Sequence, residues 1–97
     1  MNTANLQLEG LVLAIAEINR TLVEKRLLSA DEIDVALAKA DAIIENDRAA
    51  SLSSANHDAA RFPIRVLRIA NRTEPNEELP AFSDLAKAIG AADQLAW

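Results

Sequence analysis

The chain has 97 residues, of which 20 are alanine and 13 leucine, against three aromatics, two glycines and no cysteine. Those numbers describe one small domain with a core of Leu, Ile, Val and Ala, and they exclude disulfides, thiolate metal sites and thiol nucleophiles. Turn glycines and alternating β-branched strands are too few for a sandwich or barrel, so the composition reads as all-α.

Fifteen acids against ten bases give a net charge of −5, which argues against general binding to nucleic acid or to an anionic membrane surface. No apolar run approaches the roughly 18 residues that span a bilayer. The N-terminal stretch also lacks the charged flank and cleavage site of a signal peptide. The expected setting is cytoplasmic.

In chain order, the spacing predicts a first helix over about 5–27. Leu8, Leu11, Ile15, Ile18 and Leu22 follow a 3-4-3-4 spacing that places them on one narrow stripe. Val12, Ala16 and Val23 widen that stripe, and Arg20–Glu24 is an i,i+4 pair. The stripe is the candidate association seam, since the same spacing runs along coiled coils.

Ser29-Ala30-Asp31-Glu32 reads as a capping box, with the serine serving the third amide and Glu32 reaching back. It opens a second helix over about 30–50, with Ile33, Leu37, Ala40 and Ile44 on one face. The serines at 51–54 are expected to cap a third helix over about 54–71, in which Pro63 either kinks the helix or starts a new one. Residues 73–82, with two prolines and three glutamates, read as a linker. Ser83-Asp84 then cap a short helix over 84–89 that stops at Gly90. The expected architecture is a single-domain bundle of three main helices and a short C-terminal one, the third helix being apolar nearly all round and therefore central. Leu95 and Trp97 close the chain and either dock or fray.

The distinctive constellation is Arg61, Arg65, Arg68 and Arg72, at spacings of 4, 3 and 4, which confine them to a stripe about 60° wide. Guanidinium forks suit carboxylate or phosphate, so two readings stand. The second helix offers Asp34, Asp41 and Glu45 at spacings of 7 and 4, a matching acid stripe that could zip to the arginines. Alternatively, the arginines form a site for an anionic ligand or partner.

Other chemistry is thin. His57 beside Asp58 reads as a solvated first-turn histidine, because no nucleophile or second ligand accompanies it. Asp31/Glu32/Asp34 cap a helix and Glu74/Glu77/Glu78 solvate the linker, without the glycine-turned spacing of a calcium loop. A DNA-reading helix-turn-helix would put the most acidic helix against phosphates. No catalytic, cofactor-binding or metal residue is identifiable. The expectation is a non-enzymatic interaction or oligomerisation module, partnered by a second copy or by another helical protein. The alternative is an anion-binding module built on the arginine stripe.

Overall fold

A computed structural model describes residues 3–48 and 54–94. Four helices follow one another: α1 (Thr3–Glu24), α2 (Ala30–Arg48), α3 (Ser54–Ala70) and α4 (Phe82–Gln94). Three are long, the C-terminal one is shorter, and the described residues contain no strand.

α1 stops at Glu24, earlier than the apolar spacing predicts, because its C-terminus closes in a Schellman motif. The Leu27 amide donates to the Leu22 carbonyl at 3.0 Å and the Arg26 amide to Val23 at 3.0 Å. Arg26 takes the left-handed position with φ 60°, a place usually given to glycine. α2 opens as its sequence predicts. The Glu32 amide donates to Ser29 Oγ at 3.0 Å, and the Ser29 amide to Glu32 Oε1 at 2.9 Å. Two further acids-first-turn contributions, Asp31 and Glu32, favour the helix dipole.

α3 is one continuous helix through Pro63, which settles the choice between one helix and two in favour of one. The serines at 51–53 lie outside the described residues, as do residues 95–97 and their expected docking. α4 is longer than the six residues its sequence suggests. Its first carbonyl partner is Ala81, which accepts from the Asp84 and Leu85 amides at 3.0 and 3.1 Å. Ser83 and Asp84 therefore sit inside the first turn rather than capping it. The helix also runs through Gly90 to Gln94. A glycine costs about 1 kcal/mol mid-helix, and the alanines that follow have the best helix propensity of any residue.

The buried cluster joins Val12 and Ala16 of α1, Val66, Leu67 and Ala70 of α3, and Leu85 and Ile89 of α4. Phe62 and Phe82 meet edge to face, 6.4 Å apart at 71°. α3 is the helix against which α1, α2 and α4 all pack. Its small Val66 and Ala70, set against Val12 and Ala16, let α1 approach closely.

Candidate functional site

α2 meets α3 through charge. Arg61 Nε and Nη2 donate to the two carboxylate oxygens of Asp41 at 2.6 and 2.8 Å. One heptad away, Arg68 Nε and Nη2 donate to those of Asp34 at 2.9 and 3.1 Å. Both are two-pronged contacts, the strongest geometry a guanidinium offers. The pairs descend α2 as they climb α3, so the two helices run antiparallel.

The Asp41 side chain is 11% exposed and its Arg61 partner 20%, whereas Asp34 and Arg68 are 40% and 23% exposed. The hydrogen bond from Arg61 holds the Asp41 carboxyl below its ordinary pKa against the opposing effect of burial, and the field of Arg65 adds to it. Arg68 does the same for Asp34, with Arg72 contributing through its charge. Reciprocally, Asp41 raises Arg61, helped by Glu45, and Asp34 raises Arg68. All four arginines of the stripe thus act on the carboxylates of α2, two by direct bonds and two through their fields.

The apolar stripe of α1 is divided by the structure. Leu8 and Ile15 pack half-buried against the core, and Leu22 is half-buried. Leu11 and Ile18 are each 60% exposed. The centre of the inward face is Val12 and Ala16, the residues the spacing treats as flanking. Leu11 and Ile18 lie roughly 100–120° round the helix from Val12, which turns them to water. Sequence spacing alone misses this rotation, because close helix packing selected the smaller residues.

Among the described residues, the exposed large apolar side chains are Leu6, Leu11, Ile18, Leu27, Leu28, Val35 and Ile43. Every one belongs to α1, the turn or α2. On α2, Ile43 and exposed Ala36 continue the apolar side that begins with buried Ile33.

A further feature escaped the sequence. Arg20 does not pair with Glu24. Its Nη1 donates to Glu17 at 2.6 Å, and its Nη2 donates to the carbonyls of Pro75 and Glu77. It therefore straps the α3–α4 loop onto α1, a contact across more than fifty residues that no local pattern announces. Beside it lies an open cleft of about 420 Å³ among Arg20, Asp31, Asp34, Asn71, Arg72 and Glu74, with both signs of charge on its walls. At the other end of α1, Leu8, Ala59, Phe62 and Phe82 line a more apolar recess of about 380 Å³, with Asn5 and Glu9 at its edge.

His57 falls in the first turn of α3; its side chain lies outside the described residues. Among the described residues, no three His, Asp or Glu side chains converge in a way that could hold a metal ion. None of the described helices is long and apolar enough to cross a membrane. No protein-family model, no curated protein and no solved structure matches the chain.

Proposed function

We propose that the chain is a non-enzymatic interaction module that engages a helical protein through the outward flank of α1 that carries Leu11 and Ile18. The supporting observation is the distribution of exposed apolar side chains. Isolated exposed leucines are ordinary on any protein surface. Among the described residues seven large apolar side chains stand exposed, all between Leu6 and Ile43. α3 and α4 contribute none among the described residues. A cytoplasmic setting suits a cysteine-free chain of this kind.

The anion-binding alternative draws less support. Arg61 and Arg68 already spend their forks on Asp41 and Asp34, and drawing them to a ligand would strand both carboxylates.

The test is the double variant Leu11→Lys/Ile18→Lys. Both residues are exposed, so the fold should survive at a cost within about 0.5 kcal/mol per site, read by circular dichroism and thermal melting. Association should be lost, measured as solution mass for self-association and as crosslinking yield for any other protein. Unchanged association in a folded variant would refute the assignment, and unfolding would show that the two residues belong to the core.

A further inference from the structure

We infer that the occupant of the α1 face is a second copy of this chain, docked with the two α1 helices antiparallel and a two-fold axis passing close to Ile15. The inference rests on the reading of the outward α1 flank as a contact surface and names what covers it.

The first support is spacing. A two-fold interface brings the same patch of both copies together, so the patch must complement itself. Turning α1 end for end about Ile15 sets Leu8 opposite Leu22 of the copy and Leu11 opposite Ile18. Apolar meets apolar along the whole stripe. Antiparallel packing also brings opposite ends of the two helix dipoles together.

Charge is the second support. With a net charge of −5, two copies repel one another unless their contact surfaces are kept clear of carboxylates. The outward flank of α1, from Ala4 through Gln7, Leu11, Ala14 and Ile18 to Leu22, carries no ionisable group. Glu9, Glu17 and Glu24 all project from the other sides of the helix.

The third support is area. Leu11, Ile18, Leu27 and Leu28 leave on the order of 300 Å² of apolar side chain in water, and half-buried Leu8, Ile15 and Leu22 add to it. A standard interface takes about 800 Å² from each partner, a little over half of it apolar. The α1 flank and the turn are therefore about the right size for the apolar part of one side of such a contact.

Because the chain has no cysteine, single-cysteine variants report the geometry cleanly. In the antiparallel arrangement Leu11→Cys and Ile18→Cys should form a disulfide with each other under mild oxidation. Leu11→Cys should not couple to itself, because its counterpart lies about 12 Å away along the helix, beyond the reach of a disulfide. Sedimentation equilibrium on the unaltered chain should give a dimer that persists in high salt, and Ile18→Lys should weaken it by at least ~100-fold.

Self-coupling of Leu11→Cys would mean parallel helices and would overturn the inference. So would a dimer in which neither combination couples, since another face would then be in contact. A monomer at every concentration would overturn it too, while leaving the interaction reading to be tested on a different protein through Leu11→Lys/Ile18→Lys.

Discussion

Replacing Asp41 by Asn should cost clearly more stability than the matching change of Asp34 on the same α2–α3 seam. Asparagine keeps the shape and about the same helix propensity, but it removes the charge and offers Arg61 one acceptor instead of two. A fully buried guanidinium stranded in this way costs about 3–5 kcal/mol, and an exposed one about 0–1 kcal/mol. Arg61 retains 20% exposure, so part of its charge is re-solvated and the cost should be about 2–3 kcal/mol. Asp34 is 40% exposed, and Asp34→Asn should cost about 1 kcal/mol. At about 4–8 °C per kcal/mol for a domain of this size, Asp41→Asn should lower Tm by about 10–20 °C. Urea unfolding followed by helical circular dichroism measures the difference directly, provided the slope with denaturant stays constant. A second change, Arg61→Met, should recover much of the loss in the Asp41→Asn background, because the stranded charge is then gone. If Asp41→Asn costs no more than Asp34→Asn, or if Arg61→Met is equally damaging in both backgrounds, the buried-pair reasoning is wrong.

Acid should erode stability through the same two carboxylates. Both pKa values are lowered in the folded chain from 3.8. Their contribution is therefore complete above the unfolded-state value and is lost as pH falls from about 5 through it toward the folded values; a pH series on Asp41→Asn should show a flatter acid limb than the parent. Arg26→Gly should stabilise the chain by about 0.5–1 kcal/mol, because Arg26 holds φ 60° at a steric cost glycine escapes; a lower urea midpoint would count against the Schellman reading. Arg20→Met should free the α3–α4 loop from α1, seen as faster hydrogen exchange over residues 77–85 with α2 unchanged. Acceleration spread evenly over all helices would instead indicate a global loss.

The parts of this fold that were legible are those whose chemistry is local. The start of α2 follows from Ser29 and Glu32 three residues apart, and the central place of α3 follows from its nearly unbroken apolar circumference. That an acidic stripe on α2 meets the arginine stripe on α3 follows from equal seven-residue spacings on the two helices, though the individual partners do not. What was not legible depends on partners far along the chain. The face of α1 is set by the small Val12 and Ala16, because tight approach to α3 rewards low volume, whereas a helical wheel weights the larger Leu11 and Ile18. Arg20 finds its backbone acceptors beyond residue 70, and the end of α1 is fixed by a left-handed arginine that carries no glycine signal.

Equal pitch alone does not determine how α2 sits on α3. Sliding α2 by one turn, about 6 Å, would bring Asp34 level with Arg72, Asp41 with Arg65 and Glu45 with Arg61. The observed register joins Asp41 to Arg61 and Asp34 to Arg68, but the slipped one would oppose three charges, so counting charges alone does not exclude it. Uncharged contacts decide against it. In the observed register Ile33 is buried and Leu37 packs on the core, and Asn71 Nδ2 donates to the Ala30 carbonyl at 2.9 Å. A one-turn slip would pull Ile33 and Leu37 off their neighbours and carry Ala30 out of reach of Asn71. Burial and one hydrogen bond thus choose the register, and the ion pairs lock the register so chosen. The same choice leaves Ala36 and Ile43 on the open side of α2. The exposed apolar side chains of α1 and α2 are therefore a consequence of how α3 is shared among three helices, with its polar side committed to α2 and its apolar side to α1 and α4.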